Sequence, residues 1–299
     1  MTADPASPGE IDVGLVRRLV AGQFPKWAGL PVRPVDRQGH DNRTFRLGDD
    51  LAVRLPSAGR YAAAVAKEQA WLPRLAPLLP QPIPPPVALG RPCPDFSRPW
   101  SVNRWLDGAS ALDHPPADRI TLAEDLGAFL AALQRASADG GPAAGEDTFW
   151  RGGALGVYDG QTRAAIERLG GAIDGPAASA VWAAALDAEW GGPPVWVHGD
   201  VAPGNLLVAS DRLCGVIDFG QACIGDPACD LAIAWSWFEE PARAAFRGAL
   251  SLGATTWARG RGWALWKALI TLARSKPESA QARSQTRVID AVTADYRTG

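Results

Sequence analysis

Three polar side chains that could do chemistry lie in one short stretch of the chain, at Asp200, Asn205 and Asp218. Apolar runs at 195–197 and 213–217 contain branched residues and are bounded by Gly, Asp or Pro, which predicts β-strands. Each run delivers a polar cluster at its end, and 206–208 could pair as a third short strand. We therefore expect the three side chains to lie close together at the mouth of a small β-structure.

These residue types suit phosphoryl transfer. The carboxylate of Asp200 can accept the proton of an attacking hydroxyl, and the oxygens of Asn205 and Asp218 are hard ligands of the kind that Mg²⁺ prefers. A metal ion held there would bridge phosphate oxygens and offset the charge that develops in the transition state. The alternative is that these groups only satisfy strand ends, but the combined spacing argues against it.

The stretch resembles a known arrangement. The pattern His198-x-Asp200-x4-Asn205, followed by Asp-Phe-Gly at 218–220, is similar to the catalytic loop and metal-binding triplet of protein-kinase-like folds. The sequences HGDVAPGN at this loop and GDPACDLA at 225–232 resemble those of the aminoglycoside phosphotransferase and choline kinase family more closely still.

This resemblance implies an α+β, bilobal protein-kinase-like fold with a nucleotide bound between the lobes. The small β-rich N-lobe is expected over residues 1–103, with an N-terminal helix, a β-meander, a helix carrying Glu68 and a hinge strand. The larger, mostly helical C-lobe is expected over 104–299, with the catalytic loop at 195–220 and helices that bind the acceptor.

Short strands predicted at 32–37, 42–47 and 51–55 form the β-meander. The turn Gly-His-Asp-Asn before the second strand is, taken alone, a hairpin turn without the pattern of a Gly-rich loop. Read with the catalytic motif, it resembles the family's phosphate-covering turn, which makes Asn42 a candidate nucleotide contact. His40 is expected to be a turn residue.

Arg54 stands where the family usually has a strand lysine, so the sequence departs from the pattern here. A guanidinium is permanently charged and can bond two phosphate oxygens or a carboxylate, which makes the exchange chemically tolerable. The resemblance implies an ion pair with Glu68, on a helix predicted over 62–75, that directs the cation toward the phosphates. Glu68 could instead be a solvated helix residue, in which case Glu124 or Glu10 would serve equally well.

A proline-dense segment at 81–86 separates the helix from two strands predicted at 87–90 and 100–106. The end of the second strand resembles the family's hinge, which makes Asn103 and Trp105 candidate nucleotide-binding residues. Their backbone groups would meet the purine edge, an interaction that does not distinguish ATP from GTP. Trp105 could line the purine pocket or pack the hinge, and packing is slightly favoured.

The acceptor site is less specified. An amphipathic helix is predicted over 120–136, and helices at 161–169 and 176–190 resemble the family's insert that lines this site. Acids outnumber bases in that insert, which could favour a cationic acceptor or could be an ordinary solvated face. The last sixty residues are basic, and this polarity weakens the hypothesis of a polycationic aminoglycoside.

The remaining motifs are given structural roles. Asp226 precedes Pro227 as an N-cap, Asp230 is expected to tie this helix to the catalytic loop, and His198 is expected to fix the loop backbone.

Composition narrows partners and compartment. The chain has 299 residues and a formal charge of -2, which gives no basic field for nucleic acid. No apolar run reaches the roughly 18 residues needed to span a membrane. The first residues, MTADPASPGEID, lack a basic region followed by an apolar stretch, so no signal peptide is visible, and disorder is predicted for 1–9. The four cysteines lie among apolar neighbours, which is typical of free thiols in a reducing cytosol. We therefore expect a cytoplasmic protein.

These observations predict a small-molecule kinase that uses Mg²⁺ and transfers the γ-phosphate of ATP or GTP to a hydroxyl of an aminoglycoside-like or other antibiotic or natural-product acceptor. A primary-metabolite kinase for a choline-, homoserine- or sugar-like acceptor is the first alternative. A catalytically idle nucleotide-binding protein is the second; the intact Asp200, Asn205 and Asp218 argue against it, and Arg54 keeps it open.

Overall fold

The computed structural model describes residues 11–298. Within these residues the chain divides into two compact units, one formed by 11–108 together with 214–220 and the other by 109–213 together with 221–298. The predicted boundary after residue 103 differs from this division, since it places 104–108 and 214–220 with the second part of the chain. The disorder predicted for 1–9 and the alternative ion-pair partner Glu10 lie outside the described residues.

The first unit is built on a five-stranded antiparallel sheet. Its elements are α1 (Val13–Gln23), β1 (Val32–Pro34), β2 (Asn42–Leu47), β3 (Leu51–Pro56), α2 (Ala62–Leu75), β4 (Pro86–Gly90) and β5 (Trp100–Arg104). The strand order in the sheet is β1-β2-β3-β5-β4. The strands β1, β2 and β3 are consecutive antiparallel neighbours, so the predicted β-meander is present.

The strand predicted over 32–37 is shorter than expected. It ends at Pro34. Beyond that residue the N–H of Val35 still donates to the Thr44 carbonyl on β2 at 3.3 Å, and the side chain of Gln38 also bonds to Thr44, accepting from its N–H at 2.8 Å and donating to its carbonyl at 2.9 Å. The strand predicted over 100–106 likewise ends early, at Arg104, and Trp105 donates its backbone N–H to the Asp50 carbonyl.

The helix α1 is defined by its cap and its apolar side. The carboxylate of Asp12 accepts a hydrogen bond from the N–H of Leu15 at 2.7 Å, which satisfies one of the free donors of the first turn. One hydrophobic core joins the buried side of α1 to the sheet, and its members include Leu15, Val16, Leu19, Val20, Phe45, Leu47, Val53, Leu55, Trp100 and Val102. This core makes the sheet a rigid support for the side chains of β3.

The second unit is mostly helical. Its elements are β6 (Ala109–Ser110), α3 (Arg119–Arg135), α4 (Asp159–Leu169), α5 (Gly175–Asp187), β7 (Val195–Val197), β8 (Leu206–Ala209), the start of β9 (Arg212–Val216), β10 (Cys223–Gly225), α6 (Ile233–Ser236), α7 (Ala242–Ala249), α8 (Ala254–Leu272) and α9 (Ala280–Thr298). The strands pair antiparallel as β7 with β10 and β6 with β8. The predicted α+β class, with a β-rich first part and a helical second part, is confirmed.

Packing in this unit follows the predicted apolar side of α3. The residues Leu122, Leu126, Phe129, Leu130 and Leu133 are buried, and α3 packs against α7. A Cβ at Gly127 would lie 2.5 Å from the Cβ of Ala249, so the absent side chain allows these helices to approach closely.

The other helical predictions need small corrections. The helix predicted over 176–190 ends at Asp187, because Ala188 is already extended with ψ of 93°. The segment after Asp226 begins as a 3₁₀-helix over Pro227–Ala232, and the Asp226 carboxylate caps it by accepting from the N–H of Ala228. The helices within residues 11–298 lack the combination of length and apolar character that a membrane span requires.

Candidate active site

A buried guanidinium joins two carboxylates in the first unit. Arg54, on β3, donates from Nη1 to Oε2 of Glu68 at 2.7 Å and from Nη2 to Oδ1 of Asp218 at 2.9 Å. The side chain of Glu68 is only 5% exposed because it occupies the inward side of α2 with Val65 and Leu72. Glu68 is therefore a partner of Arg54 and not a solvated helix residue.

The two carboxylates determine the charge of this arginine. Burial alone would disfavour the guanidinium, but Glu68 and Asp218 outweigh burial and raise the pKa of Arg54 above its ordinary value. Arg54 is thus a permanent, oriented cation. Its geometry suits the binding of phosphate oxygens as well as carboxylates.

Asp218 has an unusual backbone conformation. Its φ is +68°, in the left-handed region that aspartate tolerates better than most residues but still at a cost in energy. Its side chain is 33% exposed, and one carboxylate oxygen bonds to Arg54. Backbone strain of this kind is concentrated at functional sites, which is in keeping with a ligand-binding role for this residue.

The turn before β2 lies within the electrostatic reach of Asp218. Burial raises the pKa of Asp41; a hydrogen bond with His40 opposes the shift, and the charge of Asp218 adds to it. His40 lies 3.2 Å from the Asp41 carboxylate and 3.0 Å from the Tyr61 hydroxyl, through Nδ1. His40 is therefore part of the turn's own network. Asn42 is the first residue of β2, partly exposed, and its contact with nucleotide stays a prediction.

The predicted hinge residues occupy different environments. Asn103 is 1% exposed and donates from Nδ2 to the carbonyl of Pro84 at 3.3 Å, so its side chain connects β5 to the segment that precedes β4. The guanidinium of Arg46 lies 4.4 Å from the ring centre of Trp105. This cation–π contact favours a packing role for the indole. Nucleotide binding by their backbone groups stays a prediction.

In the second unit the loop after β7 is anchored by one buried carboxylate. Asp230 accepts hydrogen bonds from the N–H groups of His198 and Gly199, both at 2.8 Å, as predicted for a residue tying the following helix to this loop. Gly199 has φ of +81°, and a Cβ there would lie 2.6 Å from the carbonyl oxygen of Gln221. The buried His198 accepts the N–H of Asp200 on Nδ1 at 3.2 Å, which fits its expected scaffold role.

Asp200 is held by one amide and one ammonium group. Asn205 donates from Nδ2 to the Asp200 carbonyl at 2.9 Å and to Oδ2 at 3.3 Å, while Nζ of Lys267 lies 3.4 Å from Oδ1. Burial would raise the pKa of Asp200, but the charges of Lys267, His198 and Arg151 outweigh burial and lower it. The carboxylate is therefore ionised at neutral pH and can accept a proton.

The structure thus groups the predicted residues in two sets. Arg54, Glu68 and Asp218 meet in the first unit, and Asp200 and Asn205 meet in the second. That Asp218 joins Asp200 and Asn205 stays a prediction.

Lys267 and Arg151 were not predicted as site residues. Their charges entered the sequence analysis only as part of the charge balance of the last sixty residues and of the insert. Over 262–269, Lys267 is the exposed side chain in an otherwise buried part of α8. A single cation in the apolar run GWALWKAL was a signal in the sequence. Its direction, toward Asp200, follows from packing that the sequence does not display.

The chemistry of the predicted metal ligands fits Mg²⁺. Among residues 11–298 there is no group of three or more His, Cys, Asp or Glu side chains that could hold a metal ion. Magnesium commonly binds one or two protein oxygens and takes its other ligands from phosphate and water. The Asn205 amide nitrogen is engaged with Asp200, which leaves its carbonyl oxygen as the ligand atom, and Asp218 has a second carboxylate oxygen beside the one bonded to Arg54.

Comparison with known proteins relates this chain to a family of phosphotransferases. A sequence model described as "APH: Phosphotransferase enzyme family" matches residues 32–263. A homoserine kinase from Methylocella silvestris is 39% identical over 97 residues, which are 31% of this chain and 29% of that protein, so the match spans less than a third of the relative's length.

Solved structures resemble the chain over nearly its whole length. The GDP complex of aminoglycoside 2'-phosphotransferase-IIIa has a TM-score of 0.67 at 18% identity, covering 94% of this chain and 98% of that chain. The macrolide 2'-phosphotransferase of Brachybacterium faecium has a TM-score of 0.57 at 21% identity, covering 93% and 98%. At these identities the likeness concerns the fold. The predicted resemblance and the kinase-like fold are confirmed.

Proposed function

The chain belongs to the phosphotransferase enzyme family, and we propose that it transfers the γ-phosphate of ATP or GTP to a hydroxyl of an aminoglycoside-like or other antibiotic or natural-product acceptor. It is a phosphotransferase acting on hydroxyl groups. The donor, the acceptor and the residue roles below are the proposal. The observation that carries it is the buried contact of Arg54 with both Glu68 and Asp218.

Arg54 is assigned to the nucleotide phosphates. Its charge is fixed by two carboxylates and its orientation by two hydrogen bonds, so little reorganisation is needed when an anionic ligand binds. Asn42 is assigned to the phosphate-covering turn, and the backbone near Asn103 and Trp105 to the purine edge. The GDP-bound phosphotransferase with the same fold supports a nucleotide as donor.

Asp200 is assigned the role of base. The acceptor oxygen forms a bond to the γ-phosphorus, the bond between that phosphorus and the β–γ bridging oxygen breaks, and a nucleoside diphosphate leaves. The hydroxyl proton passes to the carboxylate of Asp200. The lowered pKa of Asp200 keeps this group ionised, and its hydrogen bonds to Asn205 fix its position.

Asn205 and Asp218 are assigned as the protein ligands of Mg²⁺. When bound, the metal ion would neutralise negative charge on the phosphate oxygens. The support is the donor set described above, together with the strained backbone of Asp218. The four free cysteines support a reducing, cytoplasmic location.

The second candidate is a primary-metabolite kinase, and the partial match to a homoserine kinase is the observation that favours it. A catalytically idle protein is disfavoured because Asp200 and Asn205 keep the contacts that position a base. An antibiotic acceptor would make the enzyme one of resistance or self-protection.

The test is nucleotide consumption by the purified protein with Mg²⁺ and either ATP or GTP, against hydroxylated antibiotics and small metabolites. An acceptor that stimulates turnover at least about tenfold over hydrolysis supports the proposal, and its chemistry separates the two kinase candidates. Tight nucleotide binding without turnover across the panel would favour an idle protein. Asp200→Asn is the matched control, since it removes the base with little change in shape.

A further inference from the structure

Lys267 lies beside the proposed base, at the place where an acceptor must bind. Its Nζ is 3.4 Å from Oδ1 of Asp200, and the amide of Asn205 bonds to the other oxygen at 3.3 Å. The Asp200 side chain remains 26% exposed. A hydroxyl that hydrogen-bonds to this carboxylate therefore has the Lys267 ammonium as its immediate neighbour.

Resting on the function proposed above, we propose that Lys267 binds an anionic group of the acceptor, so that within the proposed acceptor class the enzyme prefers hydroxylated compounds carrying a carboxylate near the reacting hydroxyl over aminoglycosides. Lys267 is then a specificity-determining residue for the acceptor.

The position of Lys267 on α8 supports a role in binding. Its side chain is 52% exposed, whereas its neighbours Trp266 and Ala268 are buried. A half-exposed ion pair contributes little to folding stability, so the fold does not require a lysine here. An ammonium group on a flexible stem can also turn from Asp200 to a ligand and offers three donors.

Arg151 supplies a second cation in the same unit. Its guanidinium lies 4.8 Å from the ring centre of Trp266 and 5.3 Å from that of Trp263, and Trp266 in turn stacks on Tyr158 at 3.9 Å. Its Nη1 is buried and has no hydrogen-bond partner within residues 11–298. The positive charge of Arg151 also acts on Asp200, whose pKa it helps to lower, so Arg151 adds to the attraction of an anionic group bound beside this carboxylate.

Two acids of the insert that is predicted to line the acceptor site are already paired with other groups, so they do not offset these cations. Asp159 bonds to Arg163 and to the Trp182 indole, and Asp174 bonds to Arg297. A polycationic acceptor would bring ammonium groups toward Lys267, and like charges a few ångström apart repel. A carboxylate at the same place would be attracted.

The experiment uses acceptors that differ in charge but share a polyol chain: gluconate, sorbitol and glucamine. Steady-state turnover is measured for the wild type and for Lys267→Gln and Lys267→Arg. Lys276→Gln is the matched control, because it removes the same charge from an exposed lysine toward the end of the chain.

The proposal expects kcat/KM for gluconate to exceed that for sorbitol at least about tenfold, with glucamine lowest. Lys267→Gln should raise KM for gluconate about 10- to 100-fold more than KM for sorbitol, and Lys267→Arg should restore most of the preference. The inference is overturned if glucamine or sorbitol is the better acceptor. It is also overturned if Lys267→Gln lowers kcat equally for all three, which would place the ammonium on the transferred phosphate.

If none of the three polyols is turned over, this result counts against the proposed phosphoryl transfer to these acceptors and not against the charge preference. A binding measurement then tests the role of Lys267. The chain has four lysines, so ¹³C-methylated lysines give few signals, and the Lys267 signal is the one missing in Lys267→Gln. With Mg²⁺ and nucleotide present, gluconate should shift this signal and glucamine should not. An unshifted Lys267 signal at saturating gluconate would overturn the inference.

Discussion

Replacing Arg54 with methionine should leave two carboxylates without the cation they share. Glu68 is 5% exposed and accepts a hydrogen bond from Arg54 at 2.7 Å, whereas Asp218 is 33% exposed and can be partly solvated. The cost therefore arises mainly at Glu68. Removing one partner of a buried ion pair costs about 3 to 5 kcal/mol, and the exposure of Asp218 places the loss for this variant at about 3 kcal/mol.

The free energy of unfolding in urea measures this loss. Tryptophan fluorescence follows the transition, since the chain has 13 tryptophans. With a slope of about 3 kcal/mol per molar, the midpoint of Arg54→Met should fall by about 1 M. Two controls separate charge from packing: Arg54→Lys keeps the charge and should lose less, and Arg54→Met with Glu68→Gln should recover part of the loss because no buried charge is left unpaired.

The reasoning fails if Arg54→Met unfolds within about 0.5 kcal/mol of the wild type, the range of ordinary surface substitutions. It also fails if adding Glu68→Gln to Arg54→Met makes the protein less stable still, since the unpaired carboxylate would then not be the source of the cost.

Two further predictions concern the anchoring carboxylate of Asp230 and the reactivity of the cysteines. Asp230→Asn removes the charge that accepts hydrogen bonds from the N–H groups of His198 and Gly199, so we expect the free energy of unfolding to fall by about 1 to 3 kcal/mol. Turnover should fall more steeply than nucleotide affinity. Urea unfolding measures the stability and titration calorimetry the affinity, and unchanged turnover would contradict the anchoring role. Burial, with a smaller contribution from the Asp230 charge, raises the pKa of Cys229 well above its usual range, so this thiol stays protonated at pH 8 while the thiolate is the reactive form. In the native protein, iodoacetamide should therefore label the partly exposed Cys93 at least about tenfold faster than Cys229, as measured by peptide mass spectrometry. Equal labelling rates for the two thiols would contradict the burial argument.

Local sequence signals predicted most of the elements. The strand at 42–47 and the helix at 62–75 lie where they were expected, because alternation and helical periodicity depend on neighbouring residues. Glu68 also belongs to this class, since it occupies the same side of its helix as the buried Val65 and Leu72. The early end of β1 was not predictable in this way, because a side chain, Gln38, bonds to both backbone groups of Thr44 on the next strand.

The surroundings of Asp200 show where sequence reasoning ends. The loop residues Asn205 and His198 are close in the chain and carry a recognisable spacing. Lys267, 67 positions away, contacts this carboxylate, and the charge of Arg151, 49 positions away, acts on it, because α8 and the segment before α4 belong to one unit. Net charge in a region gave no information about which cation faces the base, and this choice bears most directly on the acceptor.

The account depends most on the separate roles of Asp200 and Asp218. The direct test is one paired measurement on Asp200→Ala and Asp218→Ala: turnover with an acceptor, and nucleotide affinity by calorimetry with and without Mg²⁺. We predict that Asp200→Ala lowers turnover by at least about 100-fold while Mg²⁺-nucleotide affinity is retained, and that Asp218→Ala removes the Mg²⁺-dependent part of nucleotide binding. Near-normal turnover in Asp200→Ala would contradict the assignment of the base and with it the mechanism.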